Sequence, residues 1–239
     1  MRDTLRVLER EITGCEKCVR LTRHCAEVAR VKRRAYLDEE YWGRPVAGFG
    51  DPAAELYILG LAPGAHGANR TGRVFTGDRS GDWLYRALWQ AGFANQAESA
   101  RRGDGLELRN AWIGAAVRCA PPDNKPLPEE VAACRPYVAR ELRLLKNVRV
   151  VVALGRLAFA SYLTLRREAG AEIRPGGLEF GHDAVHDVGD GGPAVITCYH
   201  PSQQNTSTGR LTEPMLRMVF ERAARMLHEG SRTKQMAKS

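Results

Sequence analysis

Apolar residues along this chain gather into four short, nearly unbroken runs. These are Leu56 to Ala62 (LYILGLA), Ala111 to Val117 (AWIGAAV), Val148 to Leu154 (VRVVVAL) and Ala194 to Tyr199 (AVITCY). Their length and their content of β-branched, aromatic and small apolar residues predict strands. Continuous rather than alternating apolarity fits a parallel sheet covered on both faces. Between the runs the spacing becomes helical. Leu5, Leu8 and Ile12 share a face, and Gly14 is placed to end that helix. Leu84, Ala87, Leu88 and Ala91 form a second helical set, with Ser80 as cap and Gly92 as stop. Pro128, Glu129 and Glu130 open a further helix. Val138, Leu142 and Leu145 continue it, and Pro136 is expected to kink or divide it. Leu157 to Leu165 is also helical, as is Thr212 to His228, where Leu216, Val219, Phe220, Ala223 and Leu227 line one side.

Strands alternating with helices predict an α/β fold, a three-layer α/β/α sandwich. In such sheets ligands gather at the carboxyl ends of the strands. The 239 residues suit one medium domain, read here as 1–229 with a polar, basic tail over 230–239 that is expected to fray. Asp187 to Pro193 (DVGDGGP) reads as a loop. Composition is that of a globular protein, with 44% hydrophobic and 27% charged residues. No run of apolar residues is long enough for a membrane span, and Met1 to Glu11 lacks the apolar core of a signal peptide, so a cytoplasmic location is expected. A net charge of +8 favours polyanionic partners, nucleic acid among them, although many basic proteins bind nothing anionic.

Six cysteines in such a chain point to metal binding or catalysis rather than disulfides. Cys15 and Cys18 form a C-x-x-C pair, while Cys119 and Cys134 are separated by fourteen residues. Four thiolates can hold zinc or an iron–sulfur cluster. A zinc ribbon usually supplies a second close pair, so the wide spacing favours a [4Fe–4S] cluster, with a chance C-x-x-C as the bland alternative. Cys198, inside an apolar strand, reads as a core residue, and Cys25 as incidental.

Three segments follow strand ends and would converge on one rim of the sheet: Gly60 to Asp78 (GLAPGAHGANRTGRVFTGD), Arg118 to Pro128 (RCAPPDNKPLP) and His200 to Thr212 (HPSQQNTSTGRLT). Each alone is weak. Together they resemble the uracil-DNA glycosylase superfamily, most closely its family 5 (UDGb type), from about Cys15 to Leu227. The resemblance implies a central four-stranded parallel sheet, a [4Fe–4S] cluster that organises loops, and double-stranded DNA containing deaminated bases as partner. It also implies base flipping, because a glycosidic bond cannot be reached inside the stack. A monomer is expected.

Breaking that bond leaves the sugar cation-like and the base anionic, and both charges need stabilising. The expected catalytic residues are His200, donating to the base, and Asp78, with Asn124 able to hold water. A structural histidine, a helix cap and a turn former are their respective bland alternatives. Ala62, Gly64, Phe75 and His200 are expected to bind the base, with Phe75 stacking on it or lying in the core. Ser202, Asn205 and Arg210 are expected to contact DNA, with Arg70 and Arg73 as further phosphate contacts. Two departures matter. Ala62 stands where uracil-specific enzymes carry an acidic residue, and Ala115 where they carry an asparagine that reads the pyrimidine edge. Losing that buried test weakens rejection of wrong bases, so hypoxanthine, xanthine and etheno-cytosine join uracil as expected substrates. No Schiff-base lysine is apparent, and a monofunctional hydrolase is expected. The competing readings are a non-catalytic lesion-binding protein, an iron–sulfur redox enzyme and a zinc-stabilised nucleic-acid module.

Overall fold

The computed structural model describes residues 3–173, 178–189 and 191–236, with side chains through Glu229. Among the described residues six strands form one sheet: β1 (Phe49–Gly50), β2 (Leu56–Gly60), β3 (Ala111–Ala115), β4 (Val150–Leu154), β5 (Ala184–His186) and β6 (Ala194–Cys198). Their order is β1-β3-β2-β4-β6-β5. The inner four, β3-β2-β4-β6, are parallel. They coincide with the four apolar runs, and every residue of β2, β3 and β4 is buried. The antiparallel edge strands β1 and β5 carry no such signal, being two and three residues long and at most half-buried.

Eight α-helices of the described residues accompany the sheet: α1 (Leu5–Thr13), α2 (Val19–Val31), α3 (Ala68–Thr71), α4 (Arg79–Gln90), α5 (Pro128–Leu144), α6 (Arg156–Glu168), α7 (Gln203–Ser207) and α8 (Glu213–Met236). Successive side chains of a strand face opposite sides, and this sorts the core into two layers. Leu56, Ile58, Ile113 and Val152 pack with Leu84 and Leu88 of α4 and Phe220 of α8. Tyr57, Leu59, Val151 and Val195 pack with Val138 of α5 and Phe159 and Tyr162 of α6. The result is the expected α/β/α sandwich. Leu8 and Ile12 of α1 pack on Tyr137 of α5.

Several local expectations change. The cap of α4 is Asp78, not Ser80: its side chain accepts from the Gly81 amide at 3.0 Å. α5 runs through Pro136 as one helix. Pro136 and Ala132 are both exposed, so the carbonyl that loses its donor there faces water. The last helix continues past His228 to Met236, and 237–239 lie outside the described residues, as does Asp190 in the 187–193 segment. Gln203–Ser207, within the third strand-end segment, is a short helix capped by Ser202.

Among the described residues one ion pair is wholly buried. The Arg118 guanidinium donates to Glu141 Oε2 at 2.6 Å, and the Tyr57 hydroxyl donates to the same oxygen at 2.6 Å. Arg118 follows β3, Tyr57 lies on β2 and Glu141 on α5, so the trio fastens helix to sheet. Glu141→Ala would leave the Arg118 charge buried and unpaired, at a cost of about 3–5 kcal/mol. Urea denaturation of the two proteins should show that loss as a lower midpoint.

Candidate active site

Connections leaving β2, β3 and β6 line one cleft of about 840 Å³ at the carboxyl edge of the parallel strands. Ala62 and Gly64 come from the first, Ala115 and Asn124 from the second, and His200 and Ser202 from the third. Phe75 and Asp78 close it from the segment leading into α4. The structure therefore brings the three expected catalytic residues and the four expected base-binding residues into one cavity.

Steric limits build the floor. Phe75 has φ +51°, a left-handed conformation, and a side chain at Gly60 would lie 2.7 Å from its ring. The ring is thereby seated on the bare end of β2, with its centroid 5.8 Å from that of His200 and the planes tilted by 33°. The Gly64 carbonyl accepts from the amides of Gly67 and Asn69, which winds the loop tightly. Asp78 fills the space this leaves. A β-carbon at Gly67 would fall 1.8 Å from Asp78 Oδ2, and one at Gly64 2.8 Å away. Oδ1 meanwhile serves the helix cap, so the carboxylate is a cap and a cleft group at once. Burial raises its pKa above the usual aspartate value, against the lowering effect of the Gly81 and Ser80 amides.

His200 follows β6, and its backbone carbonyl accepts from Asn205 Nδ2 at 2.9 Å. Burial alone pushes its pKa down to about 4, so the free protein holds a neutral imidazole at physiological pH. Asn124 lies on an exposed turn with Asp123, both in the left-handed region at φ 57° and 53°. Asn205 is turned inward to His200. Arg210 stacks on Tyr199 with 4.7 Å to the ring centroid, in an adjoining cavity of about 320 Å³ that His200 also lines.

Arg70 and Arg73 correct the expectation of phosphate contacts. Arg70 is buried, pairs with Glu39, donates to the carbonyls of His66 and Gly77, and lies 3.9 Å over the Tyr36 ring. Arg73 is buried in a two-pronged pair with Asp104 at 2.7–2.9 Å and also binds Thr76 and Ser99. Each guanidinium is already satisfied. The cleft instead presents Arg33 and Arg79, and His66, whose Nδ1 meets the Tyr41 hydroxyl at 3.1 Å. His66 lies inside the first motif, and Arg33 in the basic run Arg30 to Arg34.

None of the six cysteines forms a disulfide. Cys18, Cys25, Cys119 and Cys134 gather in one buried apolar cluster with Leu21 and Val117. Cys15 abuts it beside Tyr137 and interacts electrostatically with Cys18, Cys119 and Cys134. Burial raises the thiols of Cys18 and Cys134. Among the described residues no group of three or more His, Cys, Asp or Glu side chains is arranged to hold a metal ion. Cys25, read as incidental, donates from Sγ to the Ala120 carbonyl at 3.7 Å and is buried in the same cluster as Cys119.

These features define an α/β protein whose site sits at the carboxyl edge of a parallel sheet, beside a nest of cysteines. The family model of the uracil DNA glycosylase superfamily matches residues 47–224. The type-5 uracil-DNA glycosylase of Mycobacterium tuberculosis is 50% identical over 216 residues, covering 90% of this chain and 79% of that protein. Those of Mycobacterium leprae and Thermus thermophilus are each 48% identical, over 92% and 90% of this chain and 94% of each relative. The chain belongs to the uracil-DNA glycosylase superfamily, within its type-5 family.

The buried imidazole has a consequence for stability. In the unfolded chain His200 titrates near 6.5, and in the fold near 4. Between those values the unfolded state binds more protons, so this group removes stability as pH falls from about 6.5 to about 4. The effect is at most about 3 kcal/mol. Chemical denaturation across that window should show a flatter pH dependence for His200→Gln than for the parent.

Proposed function

We propose that this chain is a DNA glycosylase that hydrolyses the N-glycosidic bond of uracil and other deaminated bases everted from double-stranded DNA. The observation that carries the reading is the meeting of Phe75, Asp78 and His200 in one cleft, together with close relatives named as uracil-DNA glycosylases. A base turned out of the duplex enters the cleft and stacks on Phe75. As the bond to the sugar breaks, electrons move to the base. The neutral His200 ring donates a hydrogen bond to its developing oxyanion, assisted by backbone amides in Ala62–Ala65. Asp78 holds the attacking water below the sugar and offsets the positive charge there. Water adds its oxygen to the sugar carbon, and its proton neutralises the departing base. Asn124 lies where it can hold that water or touch the base. Ser202 and Arg210 engage the DNA backbone, and Asn205 acts through its hydrogen bond to the His200 carbonyl.

Selectivity follows from methyl groups. Ala62 and Ala115 both line the cleft, where a carboxylate would otherwise activate water and an amide would otherwise test the base. Without a hydrogen-bond test, discrimination against hypoxanthine or xanthine is small. No step calls for a Schiff-base lysine, so the reaction ends at the abasic site.

We further propose that Cys15, Cys18, Cys119 and Cys134 hold a [4Fe–4S] cluster. Four thiols are the donor chemistry such a cluster takes: Cys18, Cys119 and Cys134 share one apolar cluster, and Cys15 interacts electrostatically with each of them. A buried cation stands beside them. Arg118 Nε and Nη1 have no hydrogen-bond partner, and the guanidinium interacts electrostatically with Cys134. Cluster sulfurs accept such donors, and a net-negative cluster matches such a charge. When bound, the group supplies loop organisation rather than bond breaking.

Single-turnover assays on DNA carrying uracil, hypoxanthine or xanthine test the main reading. Base release is expected from all three, with an alkali-labile site left behind. His200→Ala and Asp78→Ala should each lose about 10²–10³-fold in rate. Ala115→Asn should cut release of hypoxanthine at least about tenfold while sparing uracil, since one buried hydrogen-bond test is worth that much. No release from any substrate would leave a lesion-binding protein instead. For the cluster, iron analysis and visible absorption of the purified protein decide: Cys134→Ser should lose iron and the absorption together.

A further inference from the structure

Eversion of a base leaves a hole in the DNA stack. Proteins that unstack DNA commonly hold such a gap open with an apolar side chain. The loop after His200 is the natural place to seek one, but Gln203 to Arg210 (QQNTSTGR) contains no large apolar residue. The wedge must therefore come from elsewhere. It has to be apolar, project into solvent and stand at the mouth of the cleft.

Eight large hydrophobic side chains of the described residues are exposed: Val19, Val31, Leu37, Trp89, Leu127, Leu157, Val185 and Met218. Of these, Leu157 alone lines the cleft. At 59% it is also the most exposed of the eight. Its position is specific. It lies in the first turn of α6 and borders both the base cleft and the adjoining cavity, a double role it shares with Leu61 and His200. The turn that presents it runs beside the site: a β-carbon at Gly155 would be in van der Waals contact with His200 Cβ, at 3.4 Å. Burying an exposed leucine in a base stack recovers apolar area that folding leaves in water. Leu157 belongs to none of the apolar clusters of the described residues.

We propose that Leu157 is the wedge that enters the gap left by the everted base, from the helix after β4 rather than from the loop after β6. This rests on the reading of the cleft as a pocket for an everted base. The adjoining cavity, with Arg156 over Phe180 at 5.2 Å and Arg210 over Tyr199 at 4.7 Å, then receives the strand on the far side of the wedge. Leu157 is a positioning residue: it holds the extruded state and touches no reacting atom.

The test uses the full-length protein with its metal content intact, in parental, Leu157→Ala and Leu157→Met forms. Alanine at an exposed position in a first helical turn leaves the fold unaltered. One arm measures fluorescence of 2-aminopurine placed beside a non-cleavable 2′-fluoro-uridine in a duplex. The parent should raise it several-fold on binding, Leu157→Ala should lose most of the rise, and Leu157→Met should regain it. The second arm measures single-turnover release of uracil. Leu157→Ala should fall about 10- to 100-fold on duplex DNA, the equivalent of losing part of the few kcal/mol that unstacking costs, and less than about twofold on single-stranded DNA, where no stack has to be opened. An equal fluorescence rise for parent and Leu157→Ala overturns the proposal, as does an equal rate loss on both DNA forms. If no uracil is released from either DNA but the fluorescence rise still depends on Leu157, the wedge stands and the glycosylase reading falls.

Discussion

The Arg118–Glu141 pair is the constraint around which the site is arranged. Burying two charges costs several kcal/mol per ion, and their attraction repays it only when the geometry is good and the remaining polar atoms find partners. Here Glu141 Oε2 takes hydrogen bonds from both Arg118 and Tyr57, while Arg118 Nε and Nη1 have no hydrogen-bond partner. Side chains at Gly48 or Gly114 would intrude on the Glu141 carboxylate, at 2.5 and 2.7 Å, so the backbone has been pared back to admit it. The pair fixes the end of β3 against α5. Cys119 follows Arg118 directly and Cys134 lies on α5, so the same clamp sets the spacing of these two cysteines. It also sets the path of the chain from Ala115 toward Asn124, one wall of the cleft.

The cleft depends on missing side chains as much as on those present. Gly60 admits the Phe75 ring, Gly64 and Gly67 admit the Asp78 carboxylate, and Ala62 and Ala115 leave methyls where larger polar groups would fit. Room for a base is thus carved by small residues at strand ends, while the polar groups that face it are few. His200 is held neutral by burial without a carboxylate partner, an unusual state for a histidine beside solvent, and one suited to donating a single hydrogen bond toward negative charge.

Much of this was legible in the sequence, and the omissions have physical causes. The four inner strands stood out because burial on both faces makes a strand apolar throughout. β1 and β5 did not, because edge strands of two or three half-buried residues obey no pattern. α2 was missed because only Leu21 and Cys25 of its thirteen residues are buried. Cleft-lining residues on the strand-end motifs could be read from the sequence, whereas Arg33 and Tyr36 reach the cleft from a segment with no motif. Arg70 and Arg73 were misplaced because a sequence does not distinguish a solvated arginine from a buried one. Their partners, Glu39 and Asp104, are each thirty-one residues away along the chain.

The zero clearance between Gly67 and Asp78 has a consequence for how such a chain can change over generations. Any heavier residue at 67 would have to enter the volume the carboxylate occupies. The two positions are locked in one inheritance: a lineage can relocate its acidic group or thicken that loop, but the first change opens the way for the second, and the reverse order passes through an ancestor with neither a sound cap nor a seated acid.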